Sequence, residues 1–224
     1  MNKNFVETSE DCFKNIGDFP YKANYMKGNL GLPKEYDNLK ISYIDENNNG
    51  KKGVLLFIHG HPTWSYLWRH LIPFGIKYDY RVICIDLPGF GRSDKPLKKD
   101  FFNFVNYRNV ILSFIKNLSL KNITLFLHEW GGTLGLTLPM DQKNIYNGIV
   151  LFNAYLGTSI SNITEGYKSW INTNIETEEL NIRALMARTN RILNLSECNA
   201  YEAPFSEDRK STRLNSSHRC ISYA

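Results

Sequence analysis

The chain is poor in cysteine, and its cysteines lie far apart. Four occur among 224 residues, at Cys12, Cys84, Cys198 and Cys220, and no two of them form a C-x-x-C pair. This scarcity excludes a disulfide-stapled scaffold and a cysteine-based metal site. This usage of cysteine suits a reducing compartment, so we expect a cytoplasmic protein. No cluster of residues has metal-ligand spacing, so we expect no metal.

Long apolar runs are also missing, as is a strong excess of one charge. No segment is long enough to cross a bilayer, and the N-terminus lacks the apolar region of a secretory signal. The net charge is +5, but residues 208–224 carry four basic residues and one acidic residue, which leaves +2 for the rest. That balance gives no electrostatic case for a nucleic-acid or membrane partner.

Residues 208–224 read unlike the rest of the chain. Their sequence, DRKSTRLNSSHRCISYA, resembles the in-frame translation of a sequencing-library adapter. Segments of this kind are excluded from reasoning about a fold. We therefore expect that the native part ends near Glu207, that the tail packs poorly, and that His218 is not a catalytic base.

The sequence does contain an alternation of short apolar runs and amphipathic segments. The predicted strands are 40–43, 54–59, 81–85, 123–127 and 148–152, and the predicted helices are 64–78, 102–117 and 132–140. Aliphatic strands alternating with helices indicate an α/β fold with a mostly parallel central sheet buried on both faces. With 42% hydrophobic residues, the chain can fill one sizeable core.

The run LFLHEWGGTLGL, residues 125–136, places one carboxylate between a strand and a helix. An apolar strand ends on His128, Glu129 and Trp130, and two glycines follow. This is the layout of a nucleophile elbow, in which a sharp turn presents one reactive side chain. A carboxylate nucleophile suits attack on a carbon that bears a leaving group, through a covalent ester. An ordinary strand–helix junction explains this run alone equally well.

A second motif favours the catalytic interpretation. The run HGHPTWSY, residues 59–66, follows the apolar strand 54–58. In α/β-hydrolases a loop of this type supplies one backbone N–H to an oxyanion hole, and the residue after the nucleophile supplies the other. The two motifs occur in the right order, which assigns the donors to His61 and Trp130.

Several long segments together resemble the haloalkane dehalogenases of the α/β-hydrolase superfamily. The matching segments are FPYKANYM (19–26), HGHPTWSYLWRHLIP (59–73), RVICIDLPGFGRSDKP (81–96), NITLFLHEWGGTLGLTLPM (122–140), FNAYLGT (152–158) and AYEAPF (200–205). The resemblance implies a Glu129 nucleophile, a halide contact from the Trp130 indole, and a cis His61–Pro62 bond. It implies a small apolar organic substrate and no cofactor, and it leaves the oligomeric state open.

The resemblance also divides the chain. Residues 1–157 are expected to form the N-terminal part of the α/β-hydrolase core, and residues 158–207 a partial helical cap. The family's last strands, its triad acid and its catalytic His all lie beyond these segments. We therefore expect the base and the acid to be absent from this chain, which leaves it inactive in turnover.

Two positions depart from the family pattern. The family's nucleophile is Asp, whereas this chain has Glu129, whose extra methylene moves the carboxylate by about 1.5 Å. Thr189 stands where the most similar subfamily has a cap Trp that helps to hold the halide. Two alternatives therefore remain open: an epoxide hydrolase, which needs cap tyrosines near residue 129, and a catalytically inactive relative.

Other polar positions have structural interpretations. Residues 89–93, GFGRS, lack the G-K-[ST] of a phosphate loop, so a tight turn is expected there. Asp86 is expected to hydrogen-bond this turn, and His59 to position its own loop. His128 neighbours Glu129, but adjacent strand residues point to opposite faces, which makes it a poor base.

Overall fold

The computed structural model describes residues 4–154 and 191–205, together with 164–166, 168–169, 172 and 181–187. Its strands, in chain order, are β1 Phe5–Val6, β2 Ala23–Lys27, β3 Lys40–Glu46, β4 Val54–Ile58, β5 Arg81–Ile85, β6 Lys95–Pro96, β7 Ile123–His128 and β8 Tyr146–Phe152. Its α-helices are α1 Ile72–Lys77, α2 Phe104–Asn117, α3 Trp130–Gly135, α4 Ile182–Ala187 and α5 Leu195–Glu202. Among these, no helix is both long enough and apolar enough to cross a membrane.

Within the described residues, six strands form the central sheet, in the order β2-β3-β5-β4-β7-β8. The strands β5, β4, β7 and β8 run parallel to one another. At one side of the sheet, β3 pairs antiparallel with β5, and β2 pairs antiparallel with β3. β4 lies between β5 and β7, so the loops that leave β4 and β7 emerge side by side at the same edge. The predicted α/β fold with a mostly parallel sheet is confirmed.

The central strands are buried because they are almost entirely apolar. Leu56, Phe57 and Ile58 of β4 are at most 1% exposed, and 82–85 of β5 are fully buried. A strand covered on both faces has no alternating polar residues, so it appears in the sequence as a continuous apolar run. This explains why these strands could be predicted.

Two predicted helices differ from the observed elements in kind or extent, and one strand of the central sheet was not predicted. The helix expected over 64–78 is a 3₁₀ turn, Ser65–Trp68, followed by α1, because Pro73 has no N–H and is accommodated only in a first helical turn. The helix expected over 132–140 starts earlier and stops at Gly135, and a separate 3₁₀ turn follows at Leu138–Met140. β2 was not predicted as a strand.

β8 is the outermost described strand on its side of the sheet, and its apolar residues are exposed. Ile149, Val150, Leu151 and Phe152 retain 41%, 36%, 47% and 39% of their surface. Next to it, Leu55, Phe57, Phe74 and Phe126 contribute to an apolar cavity of about 250 Å³. This side of the molecule therefore presents hydrophobic surface to solvent.

Residues 191–205 pack against the loop that follows β4. The helix α5 begins with a capping box between Asn194 and Glu197. Arg69, only 4% exposed, donates from Nη2 to Glu197 Oε1 at 2.6 Å. The Trp64 indole N–H donates to the Ala200 carbonyl at 3.1 Å. A buried ion pair and buried hydrogen bonds thus attach α5 to the sheet domain.

Candidate active site

Glu129 occupies a sharp turn between β7 and α3. Its backbone has φ +48° and ψ −117°, a region that residues with a Cβ rarely adopt. The turn requires Gly131, because a Cβ there would lie 2.4 Å from the Ile58 carbonyl oxygen and 2.6 Å from that of His59. The predicted elbow geometry is present, and it lifts the Glu129 side chain away from the strand.

The carboxylate of Glu129 meets two backbone donors. Its Oε2 accepts a hydrogen bond from the His61 N–H at 2.9 Å and a short one from the Trp130 N–H. Both donors are those expected from the sequence, and the predicted cis bond at His61–Pro62 is present. The structure therefore brings Glu129, His61 and Trp130 together around one oxygen atom.

Gly60 provides the room in which the Glu129 side chain lies. A Cβ on Gly60 would stand 2.5 Å from Glu129 Cβ and 2.6 Å from Oε2. The glycine of the HGHP run is thus needed for close approach between the two loops.

Burial dominates the electrostatics of this carboxylate. Desolvation raises the pKa of Glu129 above its ordinary value of 4.5, and the His61 and Trp130 N–H groups act in the opposite direction. Desolvation also lowers the pKa of His128 to about 4, aided by nearby His59. Since His128 is neutral at ordinary pH, the carboxylate has no cationic partner on that residue.

The Trp130 side chain is buried beside the elbow. It is 4% exposed, and its ring makes edge contacts with Phe104 and Tyr107, at centroid distances of 6.4 and 6.5 Å. Its role in halide binding stays a prediction. The predictions concerning Thr189, His218 and the 208–224 tail fall outside the described residues.

Asp86 links two loops beside the site. Its Oδ1 accepts from the Ser65 N–H at 2.8 Å, and its Oδ2 accepts from the Arg92 N–H at 3.0 Å. The second bond confirms the expected link to the tight turn, in which Gly89 and Gly91 have positive φ. The bond to Ser65 was not predicted, because residues 21 positions apart carry no spacing signal.

The reactive groups that the described residues bring to this site are a carboxylate and two backbone N–H groups. Within residues 4–154, 181–187, 191–205 and the shorter described stretches, no three His, Cys, Asp or Glu side chains are placed to hold a metal ion. A carboxylate with one oxygen fixed by two N–H donors can act as a nucleophile through its other oxygen, and the same donors can stabilise an oxyanion.

The chain is similar to known proteins in both sequence and structure. A family model described as the alpha/beta hydrolase fold matches residues 53–191. At the sequence level, the haloalkane dehalogenase of Psychrobacter cryohalolentis is 32% identical over 205 residues, which are 91% of this chain and 66% of that protein. A haloalkane dehalogenase of Mycolicibacterium paratuberculosis is 30% identical over 74% of this chain and 54% of its own length.

A solved structure agrees with these matches. The haloalkane dehalogenase DpaA of Paraglaciecola agarilytica, described as tetrameric, superposes with a TM-score of 0.87 at 35% identity, covering 97% of this chain and 71% of that one. The chain thus spans about two thirds of the Psychrobacter relative and about half of the Mycolicibacterium relative.

Proposed function

This chain belongs to the haloalkane dehalogenases of the α/β-hydrolase family, and we propose that Glu129 is its nucleophile against carbon–halogen bonds. One observation carries the proposal. A single carboxylate oxygen, Oε2, accepts hydrogen bonds from both the His61 and the Trp130 N–H groups. That arrangement orients the carboxylate and prepares the charge stabilisation that the reaction needs.

The first step is a displacement at carbon. Because Oε2 is held by the two amides, we assign the attack to Oε1. Oε1 forms a bond to the substrate carbon while the carbon–halogen bond breaks, and the halide leaves with the electron pair. The Trp130 indole is the group we assign to the departing halide. The product is an alkyl ester of Glu129 with a halide ion.

The second step is hydrolysis of this ester. Water adds to the ester carbonyl carbon, and negative charge develops on Oε2, where the two N–H donors already lie. The intermediate then collapses as the bond between Glu129 Cδ and Oε1 breaks, and the alcohol leaves with Oε1 and a proton while the carboxylate is restored. A base must remove a proton from that water. Of the histidines around the elbow, His59 Nε2 is engaged by the Leu87 N–H, His128 packs its ring against Trp68, and His61 packs its ring against Phe90. We propose that this chain forms the ester faster than it hydrolyses it.

The test is a single-turnover measurement with 1-bromobutane. We expect a burst of about one bromide per chain, and a butyl adduct on the peptide that contains Glu129 by mass spectrometry. The Glu129→Gln variant is the blank, because its amide keeps the hydrogen bonds to His61 and Trp130 but is a poor nucleophile. Bromide release no greater than that of the blank, with no adduct, would contradict the proposal.

A parallel incubation with 1,2-epoxyhexane examines the epoxide alternative. Epoxide opening needs an acid for the alkoxide, and the hydroxyl of Tyr201, a buried cap tyrosine, lies 3.3 Å from Arg69 Nη1 and makes no hydrogen bond to Glu129. We therefore expect the bromoalkane adduct and no epoxide adduct. An epoxide adduct alone would replace the dehalogenase assignment.

We also propose a domain division, a substrate class and a location for the chain. The division into a core at 1–157 and a partial cap at 158–207 is supported by α4 and α5, which are helical as a cap requires. A small halogenated organic substrate is supported by the apolar surroundings of Trp130. A cytoplasmic location is supported by the free thiols of Cys84 and Cys198.

A further inference from the structure

The imidazole of His59 connects the loop after β4 to the loop after β5. The side chain is fully buried. The Leu87 N–H donates to its Nε2 at 3.0 Å, and its Nδ1 lies 2.9 Å from the Gly60 carbonyl oxygen. Nε2 thus faces a hydrogen-bond donor, and Nδ1 faces a hydrogen-bond acceptor.

These two contacts fix the protonation of the ring. A backbone N–H can only donate, so Nε2 must carry a lone pair toward Leu87. A carbonyl oxygen can only accept, so Nδ1 must carry the proton toward Gly60. His59 is therefore a neutral imidazole with Nδ1–H. Burial lowers its pKa and preserves this form, although the charge of Asp86 acts in the opposite direction.

The Gly60 carbonyl is held by three donors. It accepts from His59 Nδ1, from the Thr63 N–H at 3.0 Å and from the Thr63 hydroxyl at 2.8 Å. This carbonyl belongs to the same peptide unit as the His61 N–H. The unit is planar and trans, so its C=O and N–H point in opposite directions. Whatever fixes the Gly60 carbonyl therefore also aims the His61 N–H.

We propose that His59 is a positioning residue, which orients the His61 N–H toward Glu129 by donating from Nδ1 to the Gly60 carbonyl, in the tautomer that the Leu87 N–H selects. The proposal rests on the proposed function for its catalytic meaning, but its geometry can be examined without turnover. Both ring nitrogens of His59 are engaged by backbone groups, and neither is hydrogen-bonded to Glu129. His59 acts through one rigid peptide plane.

The ring itself provides the first measurement. In the ¹⁵N-labelled 224-residue chain, imidazole nitrogen shifts report which nitrogen of His59 carries the proton. We expect Nδ1 protonated and Nε2 unprotonated at neutral pH. Protonation on Nε2 overturns the proposal, whatever the variants show.

Two substitutions separate the two contacts of the ring. His59→Asn places an amide N–H near the position of Nδ1 and keeps the Gly60 contact. His59→Gln places an acceptor near the position of Nε2 and keeps only the Leu87 contact. His70→Gln, on the exposed His70, is the control.

The readout is hydrogen exchange of the His61 amide, referenced to amides of β4 and β7. We expect His59→Gln to speed this exchange about fivefold or more, because one hydrogen bond of the clamp is lost. We expect His59→Asn and His70→Gln to stay within about twofold of the parent chain. Equal protection in His59→Gln and the parent overturns the proposal. Failure of the bromide burst, with these results intact, would instead count against the proposed function.

Discussion

Glu129 differs from the family's aspartate by one methylene, and that methylene is the most consequential single feature of the site. The longer side chain still delivers Oε2 to both the His61 and the Trp130 N–H groups. The donors therefore fix one oxygen, and the extra length must change the direction in which Oε1 points. The direction of Oε1 sets the rate of attack on the substrate carbon.

We expect Glu129→Asp to release bromide faster in the first turnover. A misplacement of about 1 Å costs on the order of a hundredfold in rate, and aspartate restores the length that the family uses. Rapid-quench measurement of bromide from 1-bromobutane, with Glu129→Gln as the blank, supplies the rates. A parent chain as fast as the aspartate variant would show that Oε1 is well placed already.

The same carboxylate sets a pH dependence of stability. The folded pKa of Glu129 is raised above 4.5 by burial. At a pH between the ordinary pKa of 4.5, which applies to the unfolded chain, and the raised pKa of the folded chain, the folded chain holds a proton that the unfolded chain has lost. The stabilising contribution is therefore complete below about pH 4.5 and is lost as the pH rises through the folded pKa.

Glu129→Gln should remove this dependence, because its amide stays neutral and still accepts both hydrogen bonds. We expect the variant to melt at a higher temperature than the parent at pH 7, and the difference to vanish near pH 4. Thermal unfolding monitored by circular dichroism from pH 4 to pH 8 gives the comparison. A difference that grows toward low pH would mean that the sign is wrong.

At the scale of elements, the elbow depends on the packing of α3 against β4. Gly131 brings the first turn of α3 onto the carbonyl groups of Ile58 and His59, closer than a Cβ permits. The strained backbone at Glu129 is retained because its neighbours leave the chain no other path.

Gly131→Ala should therefore destabilise the fold by about 3 kcal/mol, the upper range for overpacking a rigid interior. Gly148→Ala is the matched control, because a Cβ there meets only Thr124 at 3.7 Å. Urea unfolding of both variants measures the free energies. A Gly131→Ala change as small as that of Gly148→Ala would show that the elbow can relax.

The elements differ in how well the sequence predicts them, for reasons of burial. β5 was predicted to the residue, and β4 and β7 to within one, because each is a short, mostly aliphatic run. β2 was missed because its residues ANYMK are half-exposed and lie at an edge, where packing selects less strongly. The turn donors His61 and Trp130 were predicted because each motif is local.

Contacts between distant segments leave no such signal. Arg69 and Glu197 form a buried pair, yet neither residue type nor spacing indicates the other. The tautomer of His59 likewise depends on Leu87, which only the folded chain brings close. The polar contacts that Arg69 and His59 make with distant segments could therefore not be predicted from the sequence.

For the whole molecule, the exposed apolar side of β8 is the feature with the largest effect on behaviour in solution. Hydrophobic side chains on an outer strand favour association with other chains. Leu151 is the most exposed of the four, at 47%. We expect the chain to self-associate as its concentration rises.

Leu151→Lys should reduce that association, because a charge on an outer strand opposes pairing. Met140→Lys is the control, since Met140 is 82% exposed and lies outside β8. Sedimentation velocity over a concentration series compares the parent and both variants. Identical distributions for Leu151→Lys and the parent would place the contact elsewhere.

The ion pair between Arg69 and Glu197 joins residues 128 positions apart in the chain. During translation, Arg69 leaves the ribosome roughly 6 to 26 seconds before its partner, at about 5–20 residues per second. A guanidinium without a counter-ion keeps its water, because burying it alone is costly. The nascent sheet must therefore wait, with this corner hydrated, until the segment that carries Glu197 is synthesised. The timing of synthesis is thus part of how this molecule reaches its native state.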